Sequence, residues 1–279
     1  MRKIHQPCPD CSSSDALQLN DNGSSFCHSC AAYTRPDSDN YSIEVPQNYE
    51  PTAKPSFTAI ENMLTTRRYE SIPNRGLTTA TAKAYGILDT PEKTYFSYYG
   101  ADSATIPIAA KVRLPDKQFS TVGEWKEAQL FGQQLFTGGG KYVTIFEGEY
   151  DAAAGYQMQG SKYPCVSVRN GASAALKDCK AAYEWLDTFD AIVVCFDSDD
   201  VGQKAAREVA ELFGGKSAVM KHPPQYKDAN DYLMDNNIKD FTAAFWAAEK
   251  FVPDGIINGA ALWEEVNKPL EKSAVMYPW

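Results

Sequence analysis

Past residue 140 the chain alternates short, nearly unbroken apolar runs with stretches of mixed polarity. VTIF (143–146), CVSV (165–168) and AIVVCF (191–196) read as strands buried on both faces, and SAVMKH (217–222) follows in the same manner. Between them the pattern predicts helices at about 150–159, at about 173–189, and over VGQKAAREVAELF (201–213). Buried strands alternating with helices are the signature of a parallel α/β sheet. FTAAFWAAEKF (241–251) and ALWEEVNKPLEK (261–272) also read as helical.

The segment before this alternation has a different rhythm. ENMLTTRRYESI (61–72) and LTTATAKAYGI (77–87) predict two short helices, broken at Pro73, Asn74 and Gly76. YFSYYG (95–100), TIPIAAKVRL (105–114) and KQFSTVG (117–123) alternate apolar and polar residues, as antiparallel strands do. Residues 35–56 carry four prolines and little apolar content, and read as a flexible linker. Residues 1–34 are rich in Cys, Ser and Asn and show no helical periodicity.

Composition narrows the possible chemistry. The 279 residues carry a formal charge of −9 and no apolar run of membrane-spanning length. The start, MRKIHQPCPDC, has neither the apolar core nor the cleavage site of a secretory signal. Seven cysteines, an odd count without such a signal, point to a reducing cytoplasm. Cys165 and Cys195 lie in strand-like runs and read as buried thiols. Overall acidity argues against a surface coated in Lys and Arg, but it leaves room for a local basic groove.

Four of the cysteines form two Cys-x-x-Cys knuckles, Cys8/Cys11 and Cys27/Cys30. That spacing suits one closed tetrahedral Zn²⁺ site, which is structural because four thiolates leave no open coordination position. Two disulfides or a redox pair are the alternatives, and the cytoplasmic indications weigh against both. His5 and His28 read as solvated ribbon histidines. Asn20, Asn22, Ser24, Ser25 and Tyr33 suit base contacts, although Asn22–Gly23 also reads as a hairpin turn.

Carboxylates gather where the predicted strands end. Glu147 follows VTIF, and Gly148 permits a tight turn into the next helix; Asp197, Asp199 and Asp200 follow AIVVCF; Lys227, Asp228, Asn230 and Asp231 follow SAVMKH. In a parallel sheet, functional residues collect at the carboxyl ends of strands. Oxygen-rich sites there suit Mg²⁺ or Mn²⁺, which manage phosphate charge, and Asp197-x-Asp199 is spaced to share one metal across a turn. Glu149, Asp200 and Asp231 read equally well as helix-start residues. No Gly-x-x-x-x-Gly-Lys-[Ser/Thr] motif occurs.

In order and spacing, CPDC…FCHSC, KVR…LFG, GGGKYVTIFEGEYD, YPCVSVRNGASAA, FDSDDVGQKA, KDANDYL and VPDG resemble a Toprim primase. The resemblance is to the primase half of the primase–helicases of T-odd-type bacteriophages. It implies a multidomain fold: a small β zinc ribbon (1–34), the linker (35–56), an α+β N-lobe (57–140) and an α/β Toprim domain with a parallel sheet (141–252). A helical linker (253–279) then leads toward a helicase domain in the same longer chain, so this chain is expected to prime without unwinding.

The implied activity is template-directed synthesis of short RNA primers on single-stranded DNA from NTPs, in the cytoplasm of the infected bacterial host. A DNA polymerase is the implied downstream partner, and no membrane is involved. Glu147 is implied as general base or acid, and Asp197 and Asp199 as ligands of one or two Mg²⁺ or Mn²⁺ ions, supported by Asp151 and Asp228. Lys111, Arg113 and Lys117 are implied to meet template phosphate or incoming triphosphate, with Lys126 and Lys141 extending the basic face. Lys111 and Arg113, two apart on a strand, share one side. The ribbon resembles a reader of a trinucleotide priming site, with Ser24 and Tyr33 at the reading positions. A non-catalytic DNA-binding protein of the recombination-mediator kind and a Toprim nuclease remain as alternatives.

Overall fold

The structure, a computed structural model, describes residues 3–6, 17–21, 23–27, 33–34, 57–66, 68–116, 118–253, 263 and 267–268. It forms two compact units, Met1–Lys54 and Pro55–Trp279. In the first, β1 (Lys3–Gln6), β2 (Leu17–Leu19), β3 (Ser25–Cys27) and β4 (Tyr33–Thr34) form an antiparallel sheet in sequential order. Gly23, at φ 79°, closes the β2–β3 hairpin, donating its N–H to the Asn20 carbonyl at 3.0 Å. Cys27 is buried at the end of β3; Cys8, Cys11 and Cys30 lie outside the described residues. Ser24, expected at a template-reading surface, is instead buried, with its hydroxyl accepting from the Asn20 amide at 2.9 Å. The tight hairpin draws that side chain inward. For Tyr33 the structure describes only the strand position.

The second unit begins with α1 (Phe57–Thr66), a 3-10 turn (Pro73–Arg75) and α2 (Thr79–Tyr85). Thr78 caps α2 by accepting from the Thr81 N–H, and Gly86, in the left-handed region at φ 66°, ends it. An antiparallel sheet follows in the order β5 (Ile87–Asp89), β6 (Thr94–Tyr98), β7 (Ala109–Arg113), β8 (Phe119–Gly123). Its alternating residues face opposite ways. Leu88, Ala110 and Val112 pack with Ile60 and Leu64 of α1, while Ile87, Phe96, Tyr98 and Ala109 join the main core.

The larger sheet has the order β10-β9-β11-β12-β13, from β9 (Gly140–Phe146), β10 (Cys165–Ser167), β11 (Phe189–Cys195), β12 (Ser217–Val219) and β13 (Glu249–Lys250). The first four strands are parallel, and β13 is antiparallel to β12. Helices cover both faces. On one side, Val143, Ile145, Ile192 and Val194 pack with α4 (Ala175–Ala181), α5 (Tyr183–Leu186) and α6 (Asp200–Phe213). On the other, Phe146, Val193 and Cys195 pack with α3 (Glu149–Met158), α7 (Ala229–Met234) and α8 (Ile238–Trp246). Among the described residues no helix is long and apolar enough to cross a membrane.

Several sequence expectations shift. The helix expected over 241–251 ends with α8 at Trp246, after which Glu249 and Lys250 pair with Val219 and Ala218. An unpaired β12 edge outweighs the helical pattern there. The helix expected over 173–189 is divided into α4 and α5, with Phe189 already in β11. β5 was not expected, and α7 was expected only in so far as Asp231 read as a helix-start residue. The signal for α7 is Asp228-x-x-Asp231: the Asp228 carboxylate accepts from the Asp231 N–H at 3.0 Å, and Asp231 accepts from the Lys227 N–H at 2.8 Å.

Helix α3 lies between the two sheets, with Ala152, Ala153, Ala154 and Gly155 all buried. A Cβ on Gly155 would meet the ring of fully buried Phe146 at 2.3 Å. Gly→Ala in a helix ordinarily stabilises by about 0.5–1 kcal/mol. Here Gly155→Ala is expected to destabilise by about 1–3 kcal/mol through overpacking. Urea unfolding monitored by circular dichroism checks the sign, and Phe146→Leu in the same chain is expected to recover part of the loss.

Candidate catalytic centre

The carboxyl ends of β9, β11 and β12 open onto one cleft of about 720 Å³, lined on its acidic side by Glu147, Asp151, Asp197 and Asp228. Each acid is delivered by a strand end followed by a helix start. Asp151 lies in the first turn of α3 and accepts from the Asn230 N–H at 2.9 Å. Asp197 follows β11, and Asp228 is the N-cap of α7. One oxygen from each of Asp151, Asp197 and Asp228 lies within 4.8 Å of the others. Three hard oxygen donors at that spacing fit a divalent cation.

Gly148 makes this packing possible. A Cβ there would stand 2.5 Å from Asp151 Oδ2, so a larger residue would push that carboxylate from its present rotamer. Gly202 serves Glu147 similarly: a Cβ would meet the Asp197 carbonyl at 2.6 Å and Glu147 Oε2 at 3.0 Å. Glu147 Oε1 accepts from the Ala172 N–H at 3.3 Å, while Oε2 is buried without a hydrogen-bond partner. Such an oxygen favours a proton or a cation. Burial, then the neighbouring Asp197, raises the Glu147 carboxyl above its ordinary value. Burial, Asp228 and Asp197 hold Asp151 well above its own, and burial followed by Asp231 raises Asp228.

Asp199, expected to share a metal with Asp197, uses one carboxylate oxygen as a helix cap and turns the other, Oδ2, toward Lys227 Nζ at 3.7 Å. Its Oδ1 accepts from the Gly202 N–H at 2.9 Å and caps α6. The trio whose oxygens lie within 4.8 Å takes its third member, Asp151, from the first turn of α3. The loop that supplies the Ala172 N–H is fixed by a buried ion pair. Arg169 donates to Asp178 at 2.9 and 3.2 Å and reaches the Ala128 carbonyl at 2.7 Å.

The opposite wall is basic and aromatic. Lys111 and Arg113 both line the cleft from β7, as their spacing requires. Lys111 donates to Glu149 at 2.7 Å and to the Arg169 carbonyl at 3.1 Å, and the Tyr98 hydroxyl donates to the same Glu149 oxygen at 2.7 Å. Glu149 is thus more than a helix-start residue: it ties the antiparallel sheet to α3. The guanidinium of Arg113 lies 5.4 Å from the Tyr150 ring centroid, and that of Arg75 lies 4.6 Å from the same ring. Lys126 and Lys141 are exposed and line other depressions; Lys141 is at the far end of β9 from the acids. Lys117 lies outside the described residues.

Arg75, Lys227 and Asn230 also belong to this centre and were not among the expected site residues. The Asn230 side-chain amide donates to the Arg75 carbonyl at 2.8 Å while its backbone N–H donates to Asp151, so one buried residue joins the 3-10 turn to the acids. Asn230 stands within the same KDANDYL run as Asp228, which was its one sequence signal.

Residues 144–233 match the Toprim-like family. A DNA helicase/primase of Enterobacteria phage T3 is 32% identical over 271 residues, covering 96% of this chain and 47% of the relative. The chain therefore spans about half the length of that curated relative. Among solved structures, the primase fragment of the bacteriophage T7 primase–helicase is similar with 32% identity and a TM-score of 0.59, over 88% of this chain and 100% of that one. The T7 primase domains seen with the lagging-strand DNA polymerase, an RNA/DNA hybrid and dTTP share 35% identity and a TM-score of 0.58, over 66% of this chain and 94% of that one. With 32% identity over the whole length of the T7 fragment and a Toprim-like match at 144–233, the chain belongs to the family of bacteriophage Toprim primases.

Proposed function

We propose that this chain is a DNA primase that synthesises short RNA primers from NTPs on single-stranded DNA. The observation that carries this reading is one cleft with the carboxylates of Glu147, Asp151, Asp197 and Asp228 on one wall and Arg75, Lys111 and Arg113 on the other. Charge of both signs within one cleft suits a substrate that brings phosphates and their cations together. A nuclease also uses acidic strand ends, but the basic wall rising from a separate lobe favours holding a template and a triphosphate together. A recombination-mediator role gives no reason for the full acidic set.

Asp151, Asp197 and Asp228 are the proposed holders of Mg²⁺ or Mn²⁺, which when bound neutralises charge on the reacting phosphoryl group. Glu147 is the proposed base for the primer 3′-hydroxyl. Its Oε1 is oriented by the Ala172 N–H, and its partnerless Oε2 takes the proton. The guanidinium groups of Arg75 and Arg113, held against Tyr150, orient phosphates, and Lys111 keeps β7 against α3 while facing the cleft. Asp199, whose Oδ1 caps α6, is the proposed further ligand through Oδ2.

The domain arrangement proposed is the ribbon (1–34), N-lobe (57–140) and Toprim domain (141–252), with Zn²⁺ held by Cys8, Cys11, Cys27 and Cys30 on the strength of their spacing. The ribbon reads the template triplet, with Tyr33 as a stacking residue. The names of the relatives suggest a helicase domain and a DNA polymerase as partners, acting in the host cytoplasm.

Incubation with random single-stranded DNA, labelled NTPs and Mg²⁺ tests the reading. Short RNA products support it; cleaved DNA would assign a nuclease, and neither product a binding protein. Glu147→Gln is expected to lower primer synthesis by about 10²–10⁴-fold while single-strand binding stays within about twofold of wild type. Normal synthesis by that variant would sink the role given to Glu147. Cys27→Ser is expected to reduce template-dependent priming more than template-independent dinucleotide condensation. Equal losses would reduce the ribbon to a folding element.

The raised carboxyls also predict how stability responds to pH and cations. Groups raised above their unfolded values contribute stability that is complete below the ordinary carboxylate range and lost as pH rises through the raised values. Asp228→Asn keeps a good helix cap while removing one charge. At pH 8 without divalent cation it is expected to unfold at a higher temperature than wild type, and the difference should shrink toward pH 4. Added Mg²⁺ is expected to raise the wild-type midpoint by a few degrees, about what binding at tens of Kd produces, and to leave the variant nearly unmoved. Equal Mg²⁺ responses in scanning calorimetry would contradict a cation at this trio.

A further inference from the structure

Lys227 takes no part in the proton transfer or metal holding described above, yet it stands at the mouth of the acidic trio. Its Nζ donates to Asp197 Oδ2 at 2.7 Å and lies 3.7 Å from Asp199 Oδ2. Among the described residues it is the one lysine or arginine ion-paired with any member of the trio. Its backbone is fixed on both sides: the Lys227 N–H donates to Asp231 at 2.8 Å, and its carbonyl accepts from the Ser198 N–H at 2.8 Å. The side chain is not fixed in this way, with 59% of it exposed against 18% for Asp197. The ammonium can therefore swing by side-chain rotation alone, on a four-carbon stem anchored in the loop before α7.

We propose that Lys227 is the resident counter-ion of this site, displaced from Asp197 by the divalent cation and then paired with a phosphate of the incoming nucleoside triphosphate. The proposal rests on the primase reading and adds a residue and an order of events to it. An ammonium hydrogen-bonded to one Asp197 oxygen occupies a lone pair that a divalent cation would use, and it repels that cation at close range. Once displaced, it remains beside the cleft that Arg75 and Arg113 also line. A triphosphate supplies an acceptor there at the moment the carboxylate is lost. A permanently structural ion pair behaves differently, because its loss loosens the Asp197 loop and weakens cation binding.

Mn²⁺ binding followed by electron paramagnetic resonance on the full chain, without nucleotide, separates the two. Lys227→Met is expected to bind Mn²⁺ about fivefold more tightly than wild type, and Lys227→Arg to stay within about twofold of it. With Mn²⁺ saturating, Lys227→Met is expected to bind a non-hydrolysable ATP analogue about tenfold more weakly. Unchanged or weaker Mn²⁺ binding by Lys227→Met would overturn the counter-ion role. Unchanged analogue affinity would overturn the hand-over to phosphate. Asp197→Asn serves as the control for the site itself. If it kept wild-type Mn²⁺ affinity, the reading of the acidic trio would fall, and the placement of Lys227 with it.

Discussion

Like-charge repulsion at the carboxyl edge of the parallel sheet is the constraint around which the second unit is organised. Glu147, Asp151, Asp197 and Asp228 line one cleft, and three of them place oxygens within 4.8 Å of one another. Held together without compensation, such groups favour protonation or separation. The fold offsets the repulsion with features that sit away from the reacting face. α3 and α6 begin at this edge, so the positive ends of their dipoles face the acids. Backbone N–H groups of Ala172, Gly202, Asn230 and Asp231 each donate to a carboxylate of the cluster or its caps. Lys227 closes the remaining side.

These donors come from segments far apart in sequence, which explains how much secondary scaffolding the site carries. The Ala172 N–H is in place because Arg169 and Asp178 lock their loop to the carbonyl of Ala128. Asn230 is in place because the Arg75 turn accepts its amide. Gln157, near the end of α3, accepts from the Thr78 N–H and the Thr81 hydroxyl and donates to the Gly76 carbonyl. Removing one partner from a buried ion pair costs about 3–5 kcal/mol, so Arg169 and Asp178 are structural commitments as firm as any core residue.

The parallel strands and their terminal acids were legible in the sequence because strands covered on both faces must be apolar throughout, and a sudden carboxylate marks their end. The partnership among those acids was less legible. Asp197-x-Asp199 looks like a pair, yet the spacing does not show that the second carboxylate also caps α6 through Oδ1. Asp151 contributes only because α3 starts within hydrogen-bonding reach of α7, which linear spacing does not reveal. Arg75 sits in a turn whose role depends on a ring 75 positions away, Tyr150. β13 carries a helical pattern and is claimed by an open strand edge. Lys126 and Lys141 were expected from the resemblance, but Lys126 sits in a turn after β8 and Lys141 at the start of β9, and each lines a different depression.

Tyr150 and Asp151 are neighbours in the first turn of α3, and each faces a different wall of the cleft. The Tyr150 ring lies against Arg75, Arg113 and Phe96, and its hydroxyl donates to Thr94 at 3.1 Å. Asp151 turns to the acids of the other sheet. One peptide bond therefore joins a ring packed on the basic side to a carboxylate of the acidic side, and helical geometry fixes the angle between them. Any shift of one sheet against the other must be taken up in the packing of Arg75 and Arg113 on the Tyr150 ring, because the link through α3 itself is covalent.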